Sequence, residues 1–164
     1  ERPGDKALIE ALFEVLALTE TDMTLFYRRL ASIDLTSEPL EGRSNESLLG
    51  PLQIAYYEER ALQRYESRIA SWVRAYLARV AQDGIGNSAR RLAMNQVNPK
   101  YVLRNYIAQL AIDEAEKGNG EVLSEVLDVM RNPYDEQPKY EKYAGRRPEW
   151  ARHRAGCSML SCSS

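Results

Sequence analysis

At 164 residues with a net charge of −2, the chain has room for one domain with a modest core. Its single histidine leaves a zinc site short of ligands, and its two cysteines, both within the last eight residues, are too few and too badly placed for a disulfide framework. With no apolar run near the eighteen or so residues of a membrane span, and no charged-then-apolar opening, the composition points to a soluble protein of a reducing compartment.

Leu8, Ile9, Leu12, Val15 and Leu16 recur at helical spacing after the candidate cap Asp5, which predicts a first helix near 6–18. Met23, Phe26, Tyr27 and Leu30 repeat the pattern after Thr21 and Asp22, giving a second. Pro39, Gly42, Gly50 and Pro51 mark residues 34–51 as a loop with room for one short turn. A long helix follows, its apolar stripe formed by Leu62, Tyr65, Ile69, Trp72, Val73, Tyr76, Leu77 and Val80. Arg60, Arg64 and Arg68 lie opposite, either as a phosphate- or partner-binding ladder or as a solvated face balanced by Glu58, Glu59 and Glu66.

Asp83-Gly84-Ile85-Gly86-Asn87 ends that helix, and with Ala89 it spells G-x-G-x-x-A. Those glycines serve a dinucleotide only at a strand-to-helix turn, and a long helix precedes them here, so they read as a helix terminator. Asn98 and Pro99 suit the cap and first turn of another helix, reaching to Gly118. Leu103, Tyr106, Ile107 and Leu110 form one of its stripes, and Tyr101, Ala108, Ile112 and Ala115 form a second, nearly opposite one, which predicts a helix packed between layers. Val122, Val126, Leu127 and Met130 mark a last helix, stopped by Asn132-Pro133. With no sustained alternation anywhere, the fold class is all-α: an irregular helical bundle over 1–132, then an extended, largely non-regular arm over 133–164.

The arm is basic. Lys139, Lys142, Arg146, Arg147, Arg152 and Arg154 against Glu141 and Glu149 give it +4, which leaves −6 for residues 1–138 out of the total of −2. Such a tail binds an acidic partner or folds back on its own domain, and it lacks the density of a nucleic-acid arm. Tyr134, Tyr140, Tyr143 and Trp150 are apolar anchors that a free linker would not need, so docking is expected. His153 reads as a surface residue.

The most specific block in the chain is Asn98-Pro99-Lys100-Tyr101-Val102-Leu103-Arg104-Asn105-Tyr106. Asn132-Pro133-Tyr134-Asp135-Glu136-Gln137-Pro138, Pro148-Glu149-Trp150-Ala151 and the ending Ser161-Cys162-Ser163-Ser164 follow it. In this order they resemble the C-terminal part of selenoprotein O (SelO), a family of kinase-like protein adenylyltransferases. The likeness runs from Leu25-Phe26-Tyr27-Arg28-Arg29-Leu30 to the last residue and is strongest at 94–106 and at the terminus.

The resemblance implies a parent enzyme that binds ATP and magnesium in a kinase-like domain and transfers AMP to protein hydroxyls, with its catalytic residues N-terminal to the region matched here. Glu1 in place of an initiator methionine fits a piece of that longer protein. The partners implied are the missing N-terminal kinase-like domain and the parent's protein substrates, with no nucleic acid and no membrane; the compartment implied is cytoplasmic in a bacterium and mitochondrial in a eukaryote. No catalytic, cofactor-binding or metal-binding residue falls in this chain on that reading. Tyr101, Arg104, Asn105, Ile112 and Trp150 are candidates for the interface with the missing domain, although Arg104 and Asn105 serve equally well as internal ties.

Cys162, third from the end, matches the position where members of the family carry selenocysteine or cysteine. The cysteine expected three residues before it is replaced by Met159, so Cys157 becomes the nearest local partner. Cys162 and Cys157 are therefore candidate redox residues, set against the reading of two ordinary thiols. A free-standing helical interaction module with a basic tail is the alternative from another class.

Overall fold

The computed structural model describes residues 2–35 and 39–157 and divides the chain into two compact units, Glu1–Val97 and Asn98–Ser164. The division falls at Val97–Asn98 rather than at the 132/133 boundary expected from composition. Among the described residues there are seven α-helices, four 3-10 turns and no strand, so the fold is all-α.

In the first unit, α1 (Asp5–Leu16) and α2 (Met23–Leu30) stand close to where their periodicity puts them. Asp22 caps α2, its carboxylate accepting from the Leu25 N–H at 3.1 Å. Asp5 is not the cap of α1. Gly4, at φ 96°, holds that position, and Asp5 is the helix's first residue. Its carboxylate accepts from the Arg2 N–H at 2.8 Å and from Arg79 Nε at 2.6 Å.

The segment expected as a loop is more helical than its prolines and glycines suggest. It holds a 3-10 turn (Leu40–Gly42), α3 (Asn45–Leu49) capped by Ser44, and a second 3-10 turn (Gly50–Ala55) with Pro51 in its first turn. Leu48, Leu49, Leu52 and Ala55 are buried there, because tertiary packing outweighs a weak local pattern. The stripe of α4 (Glu59–Ala81) buries Leu62, Ile69, Trp72, Val73 and Leu77 as expected. Phe26, fully buried, meets Tyr27, Tyr56 and Trp72 at ring separations of 5.6, 6.4 and 6.1 Å.

Gly84 at φ 66° terminates α4, and a fifth helix, α5 (Asn87–Val97), follows where the sequence gives no apolar stripe. Its buried residue is Arg90. The guanidinium donates to the carbonyls of Ala31 at 3.2 Å and of Ile33, just past the C-terminus of α2.

In the second unit, α6 (Asn105–Glu116) and α7 (Glu121–Arg131) pack together, with Gly118 at φ 83° ending α6. Pro99 does not open α6. Residues 99–104 are non-helical because the N–H groups of Lys100 and Tyr101 both donate to the Pro133 carbonyl, at 2.8 and 3.0 Å. The two-faced helix therefore loses Tyr101, while Ile112 and Ala115 lie exposed on α6. The arm is irregular but not loose. Two 3-10 turns (Pro138–Tyr143 and Glu149–Arg152) seat Tyr143, Ala144, Ala151 and Cys157 in one core with Ile107, Val126 and Val129.

One ion-pair cluster has a pH signature. Arg79 bridges Asp5 and Asp83, and Arg2 also reaches Asp83 at 3.1 Å. The Arg79 guanidinium first, and the Arg2 N–H second, hold the Asp5 carboxyl down to about 2 from 3.8. A folded value below the unfolded one means the contribution is complete above about pH 4 and is lost as pH falls toward 2. Asp5→Asn should flatten the acid limb of the stability curve in that window, as read from urea midpoints by circular dichroism. Acid sensitivity equal to that of the unsubstituted chain would refute the assignment.

Candidate functional site

The block singled out in the sequence folds back on the segment that follows α7, within the second unit. Tyr101, 1% exposed, donates its hydroxyl to the Gln137 carbonyl at 2.9 Å and accepts from the Gln137 N–H at 3.3 Å. The Gln137 amide nitrogen in turn donates to the carbonyls of Val129 and Asn132 at 3.0 and 2.7 Å, satisfying the end of α7. Lys100 lies between Glu136 and Glu141, 2.6 Å from each, with its side chain 16% exposed. Burial works against its charge, but the two carboxylates outweigh that and raise its pKa. The order N-P-K-Y and N-P-x-x-x-Q is thus spent on one hydrogen-bonded tie between residues 99–104 and 132–141.

Of the residues proposed as a domain interface, Tyr101 is excluded by its burial in the unit's own core. Arg104 donates to the Gly145 carbonyl at 2.6 Å, binding the arm, and Asn105 begins α6 half-buried. Ile112 and Trp150 remain at the surface, 49% and 45% exposed, as does Leu103 at 58%. Trp150 meets Tyr106 edge-on at 6.2 Å. Cys157 is a buried free thiol, and Cys162 lies outside the described residues. His153 is exposed, as expected.

In the first unit, a groove of about 340 Å³ runs between α1 and α4, lined by Leu8, Leu12, Tyr27, Trp72, Tyr76 and Met94. Its charged rim, Asp5, Arg79 and Asp83, is already internally paired. Arg60, Arg64 and Arg68 are exposed, and Arg68 pairs with Glu14 at 2.8 Å rather than with the glutamates of its own helix. Gly84 and Gly86 stand between two helices, where no strand turns into a phosphate cradle. No group of three or more His, Cys, Asp or Glu among the described residues is placed to hold a metal ion.

The family model described as "Protein adenylyltransferase SelO" matches residues 1–131. The chain belongs to the SelO family. Beyond residue 131 the likeness to SelO relatives continues: a protein called protein nucleotidyltransferase YdiU from Rhodopirellula baltica is 51% identical over all of this chain and 31% of its own length. Relatives of the same name from Aromatoleum aromaticum and Tolumonas auensis are 49% and 45% identical, matching 98% and 99% of this chain and 29% and 30% of theirs. The chain therefore spans about 30% of the length of these SelO relatives.

Proposed function

We propose that this chain is the C-terminal helical scaffold and redox-sensitive arm of a protein adenylyltransferase that transfers AMP from ATP to Ser, Thr or Tyr hydroxyls of proteins. The observation that carries the reading is the 51% identity to a protein nucleotidyltransferase of which the chain matches only 31%. ATP and magnesium belong, on this reading, to a kinase-like N-terminal domain of the same protein. Exposed Leu103, Ile112 and Trp150 in the second unit, and Ile9 and Phe13 on α1 in the first, are apolar side chains available for packing against that domain. On this reading the parent is cytoplasmic if bacterial and mitochondrial if eukaryotic, and the relatives compared are bacterial; among the described residues no helix is long and apolar enough to cross a membrane. The free-standing module with a basic tail loses support, because Lys142 pairs with Glu125 and Arg154 with Asp113 inside their own unit.

Magnesium and labelled ATP added to this chain alone should give a flat calorimetric trace and no label on any protein. Joined to the remaining 70% or so of a SelO relative, it should support labelling of protein substrates. That labelling should rise with dithiol reductant and lose the dependence in Cys162→Ser. Label incorporated by the chain alone would sink the scaffold reading, and indifference to reductant would sink the redox arm while leaving the scaffold intact.

A further inference from the structure

Where the arm crosses α6, three contacts meet that neither the fold nor the proposed activity uses. Arg154 Nη2 lies 2.8 and 2.7 Å from the two carboxylate oxygens of Asp113. The Gln109 amide donates to the same carboxylate at 2.9 Å, so the group is held from within its own helix. Gly156, at φ 81°, faces the tip of that glutamine: a Cβ there would lie 2.5 Å from Gln109 Oε1. The left-handed backbone and the close approach each favour glycine. Arg154 also sits over the Trp150 ring at 5.7 Å, and the Cys157 N–H closes the turn onto the Arg154 carbonyl at 3.1 Å. Immediately beyond lies Cys157, 4% exposed in the core of the unit.

We propose that residues 154–157 are a latch: the Asp113–Arg154 pair and the Gly156 seat on Gln109 hold the end of the arm closed on α6, and release of the latch uncovers Cys157. The Arg154 and Asp113 side chains are 42% and 21% exposed, so the latch is a weak, solvent-reachable pair whose arginine stands three residues before a buried thiol. Such a contact opens locally at far lower cost than the helices beneath it. This goes beyond the proposed activity, and its test does not read AMP transfer.

The test is the labelling rate of Cys157 by a thiol-specific disulfide reagent in the full chain carrying Cys162→Ser. Native chain should label at least about tenfold more slowly than chain in denaturant. Asp113→Asn should speed native labelling about threefold, the scale of one partly exposed ion pair. Gly156→Ala should speed it about tenfold, through the forced left-handed alanine. Asp128→Asn, which breaks an exposed pair with Arg131 on α7 away from the latch, should leave the rate unchanged. If Asp113→Asn loses its helical circular dichroism, Arg154→Gln takes its place. Native labelling as fast as in denaturant, no change in the latch variants, or equal acceleration in Asp128→Asn would each overturn the proposal.

Discussion

Tyr101→Ala is expected to destabilise the second unit by about 3–5 kcal/mol, whereas Tyr101→Phe should cost only about 1–2 kcal/mol. The alanine removes a ring that is 1% exposed and packed with Tyr106, Ile107, Val126 and Val129, and the surrounding helices relax only partly into the space. Phenylalanine keeps the ring but strips Gln137 of both its backbone contacts with the hydroxyl. The difference between the two separates packing from the tie. Urea denaturation followed by helical circular dichroism reads both. If Tyr101→Phe were as damaging as Tyr101→Ala, the hydroxyl would be the main contributor and the core packing a minor one.

That tie also explains what the sequence could and could not disclose. Helices α1, α2, α4 and α7 were legible because each buries a stripe at helical spacing, and in α2 an acidic cap marks the start. The Asn98-Pro99 signal was ambiguous at the local level, since such a dipeptide opens a helix or a turn equally well. The decision lay 34 residues beyond Pro99, at Pro133, whose carbonyl takes two N–H groups that a helix would have left to water. Helix α5 escaped for the opposite reason. Its exposed Leu92 and Val97 contribute nothing to a core, and the residue it buries is charged. The latch at Gly156 was invisible because a positive φ is not written in the letters around it, although a lone glycine before a cysteine was the signal available.

The buried charge of α5 carries the other large effect: Arg90→Met should cost the first unit at least about 3 kcal/mol. Arg90 is 5% exposed, and its guanidinium reaches the carbonyls of Leu30, Ala31 and Ile33 and the Met94 thioether rather than a carboxylate. Its charge is stabilised by the end of α2, where unsatisfied carbonyls and the helix dipole favour a cation. Methionine fills much of the same volume, so the loss reports on the bonds rather than on a cavity. The carbonyls of Ala31 and Ile33 would be left buried without this donor, at about 1–3 kcal/mol each. Arg90→Lys should recover about half of the loss, because one ammonium can reach these oxygens but lacks the planar fork that spans them. Urea midpoints compared across the three chains give the ordering. Amide exchange at the end of α2 should accelerate in Arg90→Met before it does in α7. If methionine were tolerated within about 1 kcal/mol, the guanidinium would be a passenger in the core, and the joining of α5 to α2 would have to rest on Met94 and Asn87 instead.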